Sequence, residues 1–131
     1  MLKPAALFTF LLTSAGVNAQ TLSGNAFEKY TNGKTLYFSE SGEAYGAERY
    51  LPGRRVEWSF LDGKCKSGEW YADGQAICFV YEDRAEPQCW HFEITPNGLR
   101  ATFLGEDQST ELYEARESDE PMYCIGPDVG V

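Results

Sequence analysis

The sequence predicts a mainly β protein: an antiparallel up-and-down meander of about eight strands forming a small barrel or near-closed barrel, with one short N-terminal helix. Three observations predict it. Short runs rich in aromatic and β-branched residues recur along the chain, separated by turn signals such as Pro52-Gly53, Asp73-Gly74 and Asn97-Gly98. No candidate crossover helix lies between these runs, and strands that follow one another usually pair with their neighbours. Where registers can be set, between Gly68 and Leu104, the alternation of side chains agrees from one hairpin to the next.

The elements follow in order. Asn25 and Glu28 stand at capping-box spacing and Gly33 suits a helix C-terminus, so a short helix is expected over about Asn25–Asn32. With Phe27 and Tyr30 turned inward, it could plug one end of a barrel. Lys34–Ser39 is the first strand and Glu40–Gly42 a turn. Glu43–Tyr50 is the second strand; its Gly46 signals a bulge or sharp bend. After Pro52-Gly53, Arg54–Leu61 alternates Val56, Trp58 and Phe60 against Arg55, Glu57 and Ser59. Asp62–Ser67 is a loop carrying Cys65. Thr110–Ala115 makes an eighth strand, and residues 117–131, with Pro121, Gly126, Pro127 and Gly130, form an irregular tail.

Strands four to seven are the central meander. Centred on Asp73-Gly74, the first hairpin sets Trp70 against Ile77. A loop over Glu82–Ala85 sets Phe79 against Gln88, Cys78 against Cys89 and Ile77 against Trp90. Centred on Asn97-Gly98, the last hairpin sets Ile94 against Ala101 and Phe92 against Phe103. One face then carries Trp70, Ile77, Phe79, Trp90, Phe92, Ile94, Ala101 and Phe103, a core. The other carries Glu69, Cys78, Val80, Cys89, His91, Glu93, Arg100 and Thr102.

Met1–Ala19 has the form of a secretory signal peptide: a positive start at Lys3, an apolar core over Ala5–Leu12, and Val17-Asn18-Ala19 as a small-residue cleavage site. The apolar run is too short to span a bilayer comfortably. One domain over 20–131 is expected, periplasmic or secreted, with no membrane span after cleavage. The whole chain carries a formal net charge of −9. Such acidity argues against binding nucleic acid through phosphate neutralisation.

All four cysteines, Cys65, Cys78, Cys89 and Cys124, lie in the mature region. In an exported chain an even count reads as two disulfides. Of the three connectivities, the register favours Cys78–Cys89, which leaves Cys65–Cys124 to pin the tail to the body. With no Cys-x-x-Cys pair and a single histidine, no metal site is expected.

No catalytic constellation is found. His91, the sole histidine, falls outward between Cys89 and Glu93, and no Gly-x-Ser-x-Gly elbow is present. The acidic pairs Glu82-Asp83, Glu106-Asp107 and Asp119-Glu120 sit in loops, where solvated charges are ordinary. No P-loop or dinucleotide fingerprint is present, and no cofactor is expected. Two residue sets stay open as contacts. Arg49, Arg54 and Arg55 could grip an anion or a partner, or pair with nearby Glu48 and Glu57. Tyr37, Tyr45, Tyr50 and Tyr71 combine apolar rings with polar tips, which suits a cavity or its rim.

The N-terminal helix, Gly33-Lys34-Thr35-Leu36-Tyr37, Tyr45-Gly46, Gly68-Glu69-Trp70, Ile77-Cys78-Phe79 and Cys89-Trp90 together resemble small exported bacterial proteins of unknown function with a lipocalin-like barrel domain. The resemblance implies export and a β-barrel; it implies no activity and no catalytic residue. The functional expectation is a non-enzymatic binding domain for a small apolar ligand or a protein. The alternative is an interaction or inhibitor protein acting on a basic cell-wall enzyme. A hollow interior would favour the ligand and a packed one the protein.

Overall fold

The computed structural model describes residues 2–12, 20–105 and 110–125. The expected cleavage site, the pair Glu106-Asp107 and the tail beyond Ile125 lie outside them. Helix α1 (Gly24–Thr31) precedes eight strands: β1 (Thr35–Glu40), β2 (Glu43–Leu51), β3 (Arg55–Ser59), β4 (Lys66–Asp73), β5 (Ala76–Tyr81), β6 (Gln88–Thr95), β7 (Gly98–Phe103) and β8 (Glu111–Ser118). Each strand pairs antiparallel with the next, and β8 pairs with β1, so the sheet closes. Closure removes the free edges that an open sheet would present. The expected barrel is the observed one.

The turns β2–β3, β4–β5 and β6–β7 gather at one end of the barrel, and α1 plugs that end. Phe27 is fully buried, with its ring 4.5 Å from that of Phe92, 5.1 Å from Trp70 and 5.6 Å from Tyr50. Burying such a ring contributes roughly 1.5–3 kcal/mol. Backbone bonds anchor both ends of the plug: Leu22 N donates to Phe92 O at 2.7 Å and Gly33 N to Tyr50 O at 3.0 Å. Gly33, with φ +82°, turns the chain from helix into β1.

The helix differs from expectation at its start. Ser23 is the N-cap, its Oγ accepting from Ala26 N at 3.2 Å. Asn25 and Glu28 form no capping box, because Arg54 takes both side chains: its Nε donates to Glu28 Oε2 at 3.1 Å and its Nη2 to Asn25 Oδ1 at 3.2 Å.

Two hairpin registers also differ. The central turn residues are Gly74-Gln75 and Pro96-Asn97, so Trp70 pairs with Phe79 and Phe92 with Ala101. Gly74 takes the positive φ (+59°) at the first central position, as a type II′ turn requires. Pro96 presets its own φ for the first central position of the other turn. Each slip moves the pairing by two residues, an even number, so every side chain stays on its expected face. Of the residues read as core, Ile94 is 45% exposed, because it stands beside the β6–β7 turn at the barrel rim. The β5–β6 register, with Cys78 opposite Cys89, is as expected, although its loop runs from residue 82 to 87.

The β1–β2 ladder shifts register between Phe38 and Ser39, opposite Gly46 and Ala44, which leaves Tyr45 as the bulged residue. Gly46 also makes room: a Cβ there would lie 2.3 Å from the Trp58 ring and 2.7 Å from Ser59 O. β3 ends at Ser59, so Phe60 and Leu61 belong to the following loop. β8 runs to Ser118, one residue past the expected start of the irregular tail. The tail then crosses the outside of the barrel. Thr35 Oγ1 donates to Glu120 O at 2.7 Å, Arg49 Nη1 donates to Asp119 O at 3.1 Å, and Cys124 closes a disulfide with Cys65. The second disulfide is Cys78–Cys89.

Candidate functional site

Side chains on the inner face of the sheet fill most of the barrel but not all of it. A cavity of about 150 Å³ lies within, on the side away from the helix plug. Its mouth is formed where the β3–β4 and β5–β6 loops meet, near Phe60, Lys66, Arg84 and Gln88. Deeper in, the wall is mainly aromatic: Tyr45, Tyr50, Trp58, Phe79, Tyr81, Trp90 and Phe92, with Phe38, Ala101 and Leu112 completing it. The rings brace one another. Trp58 meets Phe60 edge to face at 5.4 Å, and Phe79 stacks on Tyr81 at 6.2 Å. Such contacts hold the wall in place when no ligand fills it.

One carboxyl interrupts this apolar lining. Glu48, 1% exposed, lies in an inward-facing row with its cross-strand partners Leu36 and Trp58, and Lys66 lies beyond Trp58 on β4. Tyr81 Oη donates to Glu48 Oε1 at 2.7 Å. Glu48 Oε2 is buried and has no partner among the described residues. Burial pushes the Glu48 carboxyl well above the ordinary carboxylate range; the Tyr81 hydrogen bond and the charge of Lys66 oppose that shift. Burial likewise raises the phenols of Tyr50 and Tyr81, with the charge of Glu48 acting in the same direction. Lys66 does not neutralise Glu48 by contact. Its Nζ binds Asp83 Oδ2 at 3.0 Å and lies over the rings of Phe60 and Tyr81.

The structure separates the four tyrosines named from the sequence. Tyr45 and Tyr50 line the cavity. Tyr37 lies outside under the Arg116 guanidinium, 4.0 Å from its ring centre, and Tyr71 is 42% exposed opposite Cys78. The three arginines are drawn to different partners. Arg49 holds the tail. Arg54 binds the plug helix and covers the Trp70 ring at 4.4 Å. Arg55 Nε donates to Pro52 O at 3.2 Å and borders an outer groove whose other charged residues, Glu57, Glu69 and Glu82, are acidic. His91 stands on the outer face opposite Thr102.

Glu48 was not singled out from the sequence as a site residue. One signal could have found it: on β2 it shares a face with Tyr50, so an inward Tyr50 implies an inward Glu48. The bulge at Tyr45 hides that parity, because it breaks the alternation one would count from the start of the strand. Comparison of the chain with family models, with curated proteins and with solved structures finds no match.

Proposed function

We propose that this chain is a non-enzymatic binding domain, exported and oxidised, that takes a small, largely apolar molecule into its barrel. The observation that carries the reading is the incompletely filled interior: about 150 Å³ walled by aromatic rings and reached from one end. An apolar cavity of that size is known to accept a single benzene-sized ring. It is small beside the pockets that enclose drug-sized ligands, so the occupant is about one ring with a short substituent.

Two features support the export part of the reading. Residues 2–12 carry Leu7, Phe8, Phe10, Leu11 and Leu12 at 85% exposure or more, so this apolar run packs on nothing in the domain. Both cysteine pairs are disulfides, the state that oxidising compartments favour. Among the described residues no helix is long and apolar enough to cross a membrane.

The test is uptake of toluene by the oxidised chain, followed by NMR shifts of the Ala101 and Leu112 methyl groups. Saturable, one-to-one shifts are expected. Ala101→Leu, which fills the cavity from its wall, should abolish them while leaving the rest of the spectrum folded. Absence of any saturable shift in the native protein would count decisively against the reading.

A further inference from the structure

Glu48 presents an unfinished interaction. Its Oε1 is engaged by Tyr81, while its Oε2 is buried at the cavity wall without a donor or acceptor among the described residues. Leaving such an atom unpaired is costly, since it has given up water without gaining a partner, and the cost is greater if the group is charged. Lys66, the cation whose charge acts on Glu48, is held by Asp83. A ligand group entering from the mouth can complete Glu48. An anionic group would be repelled once Glu48 ionised. A cationic one would gain an opposite charge in a low-dielectric site and the negative faces of the surrounding rings. The acidity of the whole chain, net −9, draws cations toward it rather than anions.

We propose that the ligand is a small aromatic or cyclic amine, bound as its ammonium ion with its nitrogen against Glu48 Oε2 and its ring among Tyr45, Trp58 and Phe79. This rests on the cavity reading and adds the ligand's charge to it. The titratable and charged groups that line the cavity with Glu48 are Tyr45 and Tyr50 on its own strand, Lys66 on β4, Tyr81 on β5 and Arg84 on the β5–β6 loop, with Glu114 on β8 acting on Tyr50. Leu36 of β1 and Trp58 of β3, its cross-strand partners, do not titrate. Where Glu48 is protonated in the empty barrel, the ammonium ion displaces its proton. The O–H bond of the carboxyl breaks, the proton leaves to the buffer, and the carboxylate pairs with the bound cation.

Isothermal calorimetry on the full oxidised chain with toluene, benzyl alcohol and benzylamine tests this, since the three probes share a ring and differ at its substituent. Benzylamine is expected to bind at least tenfold more tightly than benzyl alcohol. Its apparent heat should also vary with the buffer's ionisation enthalpy, reporting proton release. Glu48→Gln should bring benzylamine down to the level of the alcohol, with circular dichroism showing that the variant is folded. If that variant does not fold, the ranking of the three probes on the native protein decides alone. Benzylamine binding no more tightly than benzyl alcohol overturns the amine assignment while toluene uptake keeps the cavity reading. No binding of any probe overturns both.

Discussion

Tyr81 on β5 donates its hydroxyl to Glu48 on β2 at 2.7 Å across the barrel interior, joining strands that are not neighbours in the sheet. The bond fixes one carboxyl oxygen and leaves the other bare. It does not offset the burial that holds the folded carboxyl well above the ordinary value of 4.5. A group raised in the folded state contributes stability that is complete below its unfolded value and is lost as pH rises through its folded value. Glu48 therefore destabilises the barrel progressively as pH rises above the ordinary glutamate range. The limiting slope is about 1.4 kcal/mol per pH unit. Urea unfolding of the native chain and of Glu48→Gln between pH 5 and pH 8 should show the variant gaining relative stability with pH. Parallel curves would mean that Glu48 titrates as it does in the unfolded chain.

The helix plug depends on one ring. Phe27 is in contact with aromatic side chains of β2, β4, β5 and β6, so its removal opens a void where four strands converge. Phe27→Ala is expected to cost about 3–5 kcal/mol, the range for deleting a buried aromatic ring. Lys29, an exposed position on the same helix, serves as the control, with Lys29→Ala within about 0.5 kcal/mol of the native chain. Equal effects at the two positions in chemical denaturation would show that the helix does not close the barrel.

Gly46 and Trp58 form a matched pair at the cavity wall. The φ of Gly46 is not in the left-handed region; a side chain is excluded there by space alone. Gly46→Ala should therefore displace the Trp58 ring, costing about 1–3 kcal/mol as overpacking does. It should also shift tryptophan fluorescence and weaken toluene uptake. Retention of both native fluorescence and native uptake would contradict the contact.

The two disulfides do different work. Cys78–Cys89 ties adjacent strands already paired in the sheet, whereas Cys65–Cys124, 59 residues apart, holds a tail that crosses the barrel's outside. In the chain-entropy account the long loop contributes about 4 kcal/mol and the short one about 3 kcal/mol. Replacing both Cys65 and Cys124 by serine should release the tail to protease near Tyr123 and leave strand pairing intact by circular dichroism. A protease-resistant tail in that variant would place the anchoring in Thr35 and Arg49 instead.

Much of this was legible in local pattern. The β5–β6 register follows from Ile77, Cys78 and Phe79 facing Trp90, Cys89 and Gln88, and it sets Cys78 opposite Cys89, where the structure joins them. The two missed registers share one cause. Asp73-Gly74 and Asn97-Gly98 are strong hairpin signals, but a turn dipeptide does not say which of its residues sits at the centre. In one turn the positive φ fell on the first central position, and in the other Pro96 claimed that place. The expected capping box failed for a tertiary reason: Arg54, distant in sequence, offered Asn25 and Glu28 a better partner than the helix's own backbone.

By itself the sequence determined an antiparallel ribbon of about eight strands, closed or nearly so, with its inward face over the central meander, a helix able to plug one end and a favoured cysteine pairing. These depend on alternation and on contacts between neighbouring segments. Only the tertiary structure decided that the interior is incompletely filled and that a carboxyl lies at its wall. Cavity volume is the residue of many side chains meeting from all eight strands, and no local pattern sums them. Glu48 turns inward because a bulge at Tyr45 resets the alternation of β2, and its meaning comes from Tyr81, Trp58 and Lys66, which reach it only once the barrel has closed.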